Sequence, residues 1–257
     1  DTPTDTGTGR CSDCDPADLP HGFVVEGLSP ILSLSWQIYT RHLGLCLVAT
    51  AVDLGSTLLS VIVVLIPALL CISTINFVSP VLALALCFLV LILGGVVTLS
   101  ATTVGHYRFF LSLVRDQPIE FSDMLRFDQY VGRMAVGSTI FWSFVVVGLM
   151  AGILPGLLIL VFLWPYGRLI VDRDLGVAES FSEAFRLTTE NSATSFFLFV
   201  IYALVLLGSN SIPLLGFFFA VPLMAVVHSV AYQSFLKLPF PFAPQGLSEF
   251  WGRKKLA

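Results

Sequence analysis

Four groups of residues in this 257-residue chain have the types and spacing that chemistry would need. Asp53 is the single formally charged residue across 42–105. An ionisable side chain deep in an apolar stretch is a functional hypothesis by default, because burying its charge is expensive. It could carry a proton or coordinate a cation; the ordinary alternatives are a protonated carboxyl or a hydrogen bond to Thr50, Ser56 or Thr57. His106 and His228 lie near the same ends of two apolar stretches, so a compact bundle would let them approach each other. Two imidazoles can ligate a metal or a haem iron, although neither histidine belongs to a spacing motif, and two unrelated histidines are the simpler account.

Cys11 and Cys14 have the spacing of half a zinc site or of a redox pair, with His21 as a third ligand at most. The fourth group is a mixed-charge cluster of Arg168, Asp172, Arg173, Glu179, Glu183 and Arg186. Carboxylates beside arginines can run acid–base or phosphate chemistry; far more often they form a solvated face of exposed ion pairs. Arg115, Asp116, Glu120 and Asp123 form a similar cluster earlier in the chain. The sequence holds no Walker A loop, GxGxxG, HExxH or GxSxG motif, so no catalytic residue is assigned and no cofactor is expected, with haem and zinc left open at the histidine and cysteine pairs.

The elements that must position these groups follow from composition. The chain is 56% apolar and only 12% charged, with a mean hydropathy of +0.90, against about 25% charged in a typical soluble domain. A net charge of −4 gives no basic excess of the kind that nucleic acid attracts. A spanning helix needs about 20 mostly apolar residues, and three tracts qualify: 42–105, 134–167 and 191–236. Each is long enough for two helices. Turns are expected near Asn76, Ser79 and Pro80, at Leu154, Pro155 and Gly156, and from Gly208 to Pro213. The expected fold is therefore all-α and integral to the membrane, with six transmembrane helices arranged as three hairpins. Gly94, Gly95, Gly132, Gly137, Gly148 and Gly152 read as close helix contacts, the last two as a GxxxG pair.

Charge sets the orientation. All 13 Lys and Arg fall outside the three turns, and short loops rich in these residues stay cytoplasmic. Both termini and both long loops are therefore placed in the cytoplasm, and the interfacial aromatics Trp36, Tyr39, Tyr107, Tyr130, Trp164, Tyr166 and Tyr232 agree. Residues 1–28 read as a polar, disordered cytoplasmic tail with no signal-peptide pattern, and 239–257 as a cytoplasmic C-terminal tail. Nothing in the cysteine spacing builds a disulfide framework.

The membrane domain, 29–238, carries an internal repeat: Phe121-Ser122-Asp123-Met124-Leu125-Arg126 matches Phe181-Ser182-Glu183-Ala184-Phe185-Arg186, and both lead directly into a hairpin. A weaker copy begins at Ser29. The repeats are about 29–115, 119–174 and 177–236, each a short amphipathic interfacial helix followed by a hairpin. In the last of these helices Glu179, Glu183, Arg186 and Glu190 share one face, while Val177, Phe181, Ala184, Phe185 and Thr188 share the other.

From Trp164-Pro165-Tyr166-Gly167-Arg168 through Val171-Asp172-Arg173, Gly176-Val177, Ala184-Phe185-Arg186-Leu187-Thr188 and Asn191 to Pro222 and Ala231-Tyr232, the last 100 or so residues resemble a group of poorly characterised bacterial membrane proteins. These are six-helix, repeat-built domains similar to the membrane domain attached to some glycerophosphodiester phosphodiesterases. The resemblance implies a bacterial cytoplasmic (inner) membrane location. It transfers no catalytic residue, because the soluble phosphodiesterase domain has no counterpart here.

Three functions are expected in order. The first is a non-enzymatic scaffold, accessory subunit or assembly factor, in contact with membrane lipid and with another membrane protein or itself. The second is a small-solute or ion transporter using Asp53. The third is a lipid-linked membrane enzyme or lipid-binding domain, drawing on Arg168, Asp172 and Arg173 at the membrane surface.

Overall fold

A computed structural model of the protein describes residues 25–73, 80–118, 124, 129–209 and 213–241. Among these residues the chain forms nine helices: α1 (Leu28–Arg41), α2 (Leu43–Ser73), α3 (Pro80–Val114), α4 (Gln129–Ala151), α5 (Ile153–Leu163), α6 (Tyr166–Arg173), α7 (Val177–Glu190), α8 (Ser192–Ser209) and α9 (Pro213–Phe235). Six segments are long and apolar enough to cross a membrane: Leu43–Pro67, Leu84–Val114, Gln129–Ala151, Ile153–Arg173, Ser192–Ser209 and Phe218–Phe235. By length and composition the chain is a multi-pass helical membrane protein. Its outward-facing side chains fit that solvent, since Val81, Met150, Ile153 and Leu207 are each at least 70% exposed. Such surface is unfavourable in water and unpenalised in lipid.

Helix α2 packs against α3, α4 against α5, and α8 against α9, while α3 meets α4 and α5 meets α8. The bundle is organised around α9, which touches α1, α2, α3 and α8. Two-thirds of the α9 span (67%) is buried inside the protein, against 11% for the spans in α2 and α8. Small and β-branched residues make this placement workable: Ala225, Val226, Val227, Ser229, Val230 and Ala231 are all buried, and their compact side chains let neighbouring helices approach closely.

The breaks in the helices have local causes. Between α4 and α5 the chain turns at Gly152, whose φ of 148° is open only to glycine at low cost. The sequence placed this turn at residues 154–156. Pro155 instead occupies the third position of α5, within the first turn, where a backbone N–H has no intrahelical acceptor to lose. The GxxxG pair therefore divides its roles: Gly152 makes the turn, while Gly148 meets the backbone of Gly156 so closely that an added Cβ would lie 2.9 Å from it. At Gly95 and Gly132 an added Cβ would meet nothing within 4 Å, so these two are not the helix contacts that composition suggested.

Two further boundaries differ. Helix α3 continues to Val114, beyond the end of the apolar tract at 105, and carries Arg108 over the ring of Tyr130 at 5.0 Å. The span containing α5 and α6 likewise continues to Arg173, taking Arg168 and Asp172 with it. Of the leading helices, α1 buries Ile31, Leu34, Ser35, Ile38 and Tyr39, and α7 buries Ser180, Ala184, Leu187 and Thr188. The corresponding segment at 119–128 lies outside the described residues apart from Met124. The end of the N-terminal tail is docked rather than free, because Val25 is 1% exposed and its carbonyl accepts a 2.5 Å hydrogen bond from the Ser234 hydroxyl. Phe240 is likewise buried beyond α9.

Candidate functional site

Pro165 builds the site. A proline inside a helix removes the N–H that would bond the carbonyl four residues earlier, here Val161. The Ser195 hydroxyl from α8 donates to that carbonyl at 2.9 Å, and Thr188 from α7 donates to the neighbouring Phe162 carbonyl at 2.7 Å. The Trp164 indole N–H donates in turn to Ser195 Oγ at 2.9 Å. Backbone freed by the break is thus satisfied by side chains of adjacent helices, which is how broken helices persist at membrane depth. The break starts α6, and α6 carries Tyr166, Gly167, Arg168, Leu169 and Ile170 into the interior.

Arg168 is 5% exposed. Its guanidinium lies over the ring of Tyr107 at 4.6 Å and over that of Trp164 at 5.4 Å. Gly167 permits the first contact, since a Cβ there would come within 2.5 Å of the Tyr107 ring. Among the described residues Arg168 has no carboxylate within ion-pair distance, and its Nε has no hydrogen-bond partner. Desolvating an ion costs several kcal/mol even after relaxation, whereas a cation–π contact returns about 2 kcal/mol when desolvated. The two rings offset only part of the burial.

Arg168 faces a cavity of about 610 Å³ bounded by α3, α4, α5, α6, α8 and α9. His106, Ser138, Trp164, Ser195, Tyr202 and His228 share its wall with Arg168. The two histidines of the sequence analysis therefore open on one chamber. His228 Nδ1 lies 2.8 Å from the Met224 carbonyl, which can only accept, so that nitrogen carries the proton and Nε2 is left for other partners. Trp164 and Tyr202 pack on the His228 ring at 5.1 and 5.4 Å. Among the described residues no group of three or more His, Cys, Asp or Glu is placed to hold a metal ion.

Asp53 reaches the same chamber indirectly. Its Oδ2 stands 3.7 Å from His106 Nδ1, an electrostatic contact longer than a hydrogen bond. Ser56, offered above as a partner for the carboxyl, donates instead to the Asp53 backbone carbonyl, and Thr50 donates to that of Cys46.

The charged cluster divides. Arg168 lies inside, whereas Asp172, one helical turn further along α6, joins three helices near the end of α6. Arg115, just past α3, grips it through two bonds of 2.5 and 2.9 Å, and Tyr232 from α9 donates to it at 2.9 Å. The hydrogen bond to Asp172 holds the Arg115 guanidinium above its ordinary pKa. On α7, Glu183 accepts two hydrogen bonds from Arg186, which hold its carboxyl below the usual glutamate range and raise Arg186 in return. Arg173 stands 3.8 Å from Glu183. Glu179 accepts the N–H of Gly176 at 3.1 Å and so caps the start of α7. Cys11, Cys14 and His21 lie outside the described residues.

Sequence reasoning grouped Arg168 with its charged neighbours, read Tyr107 and Tyr166 as interfacial aromatics, and did not single out Tyr202 or Ser195. Trp164 and Pro165, four and three residues before Arg168, were the usable signal, because a proline within an apolar span marks backbone that other helices must satisfy. Compared with protein-family models, curated proteins and solved structures, the chain finds no match in any of the three.

Proposed function

We propose that this chain is a non-enzymatic membrane protein that works by binding, and that its bundle holds an anionic group, a phosphate or a carboxylate, against Arg168. The observation that carries this reading is a permanently charged guanidinium, buried beside a 610 Å³ cavity and lacking any carboxylate partner among the described residues. An entering anion would complete the charge and hydrogen-bond complement that the aromatic rings leave short. Ser138, Ser195, Tyr202 and the two histidines would add neutral polar contacts. In this reading the six spans form three hairpins with both termini in the cytoplasm, α1 and α7 lie along the cytoplasmic interface as amphipathic helices, and the protein serves the bacterial inner membrane as a binding or accessory component. Binding of radiolabelled inorganic phosphate to detergent-purified protein tests the site: wild type and Arg168→Lys should bind, and Arg168→Met should not. Equal binding by Arg168→Met would refute it. Membrane-impermeant maleimide on intact cells tests the topology in a cysteine-free background, since Ser209→Cys should label from outside and Gln117→Cys should not.

The contact between Asp53 and His106 supports a second reading, in which the carboxylate exchanges protons with the chamber through the imidazole and drives transport. Unaltered flux in proteoliposomes carrying Asp53→Asn would remove it.

A further inference from the structure

We infer that the anion held at Arg168 is the headgroup of an amphiphile whose acyl chain lies in a groove between α3 and α4, so that the ligand enters sideways from the membrane. This rests on the binding role proposed for Arg168 and adds the class of ligand. The groove has a volume of about 560 Å³, and it shares Thr103, Ser138 and Trp142 with the wall of the Arg168 cavity, so the two spaces adjoin. Its other contributors include Leu99, Val146 and Val147 on outward faces of the bundle.

The hydroxyls in the groove do not make it polar. Ser100 donates to the Val96 carbonyl at 2.6 Å, Thr103 to Leu99 at 2.7 Å, Thr139 to Ala135 at 2.8 Å and Ser143 to Thr139 at 2.7 Å. Each proton is turned back into its own helix, leaving carbon towards the groove. Ser138, at the junction with the cavity, pairs with the Tyr166 hydroxyl at 3.1 Å. The lining therefore changes from hydrocarbon to cationic and polar along one continuous path, which is the polarity profile of a lipid.

Depth agrees. Arg168 lies one helical turn before Asp172, whose bonds to Arg115 and Tyr232 form a charged junction. One turn is about 5.4 Å, so the Arg168 backbone stands one turn inside the Asp172 junction, while the groove extends towards the apolar middle of α3 and α4. A free phosphate uses the Arg168 end alone; an amphiphile uses both.

The test compares two probes on full-length protein in phosphatidylcholine nanodiscs: dioleoyl phosphatidic acid, quantified by native mass spectrometry, and glycerol 3-phosphate, which has the same headgroup and no chain. Thr139→Trp and Ser143→Trp fill the groove from its exposed side, away from Arg168. Wild type should retain phosphatidic acid over phosphatidylcholine by at least about tenfold, as a charge-assisted contact allows. Both tryptophan variants should lose that preference while still binding glycerol 3-phosphate. Arg168→Met should lose both probes. If glycerol 3-phosphate binds wild type and the tryptophan variants bind phosphatidic acid as wild type does, the acyl groove is refuted and the anion site stands. If Arg168→Met binds both probes as wild type does, the anion site itself is refuted and the lipid reading falls with it. Arg168→Lys, which keeps the charge, should recover most of the lipid preference if the Met variant's loss is electrostatic; failure of that rescue also overturns the inference.

Discussion

Asp172→Ala removes a residue of α6 that holds Arg115, just past α3, and Tyr232 of α9. Two arms are lost together. The Tyr232 hydroxyl loses a charged acceptor at 2.9 Å in a residue that is 0% exposed, and a hydrogen bond to a charged group is worth about 1.5–3 kcal/mol, so we assign this arm about 2 kcal/mol. The bidentate Arg115 arm is nominally stronger, but the Arg115 side chain is 22% exposed, and solvent screening reduces it to about 1 kcal/mol. Asp172→Ala should therefore destabilise the protein by about 3 kcal/mol, and Tyr232→Phe by about 2 kcal/mol. Because both remove the same bond, the double variant should also lose about 3 kcal/mol and not about 5, a coupling of about 2 kcal/mol. The assay is reversible denaturant unfolding in micelles, followed by tryptophan fluorescence. Additive losses in the double variant, or an Asp172→Ala loss below about 0.5 kcal/mol, would show that this junction does not hold the helices together.

Further outcomes follow from other contacts. Ser195→Ala should cost about 2 kcal/mol by stranding the Val161 carbonyl and the Trp164 indole, and the cost should shrink in a Pro165→Ala background, where the backbone N–H is restored; unfolding of the two singles and the double measures it. Gly148→Ala should destabilise by about 1–3 kcal/mol through its clash with Gly156, whereas Gly132→Ala should be neutral or slightly stabilising, as helix propensity alone would have it. Glu183 should titrate below the ordinary glutamate range in carbon-13 NMR and return towards it in Arg186→Ala. Its carboxyl is held low in the folded state, so the stability it adds is present above the unfolded-state pKa and is lost as pH falls through the folded one.

Hydropathy made the six spans readable, since apolar runs of sufficient length have few other uses. The bounds of α7 were readable too, because Glu179, Glu183, Arg186 and Glu190 mark one face of a helix that starts after Gly176. The second turn was misplaced because proline is a conspicuous breaker: Pro155 drew attention, although a proline in a first turn breaks nothing and Gly152 supplies the conformation that is needed. Arg168 was visible as a charge but not as a depth. One-dimensional charge patterning assigns an arginine at the end of an apolar run to the surface, and only the break at Pro165, with its donors from α7 and α8, carries the residue inside. The approach of Asp53 to His106 depends on how α2 lies along α3, which composition does not encode.

Among the described residues the first helix packs against the last, α1 on α9, and the closure is stitched by Ser234 to the Val25 carbonyl and by Tyr39 to that of Phe219. During synthesis, a chain inserted from its N-terminus must wait with α1, α2 and α3 exposing the faces that α9 will cover. The described bundle thus stays open until α9 arrives. A ribosome stalled before residue 213 would leave a species with α1 to α8 made and the helix they pack around missing, a ready substrate for membrane proteases. Quality control of the described bundle need sense only whether α9 is in place.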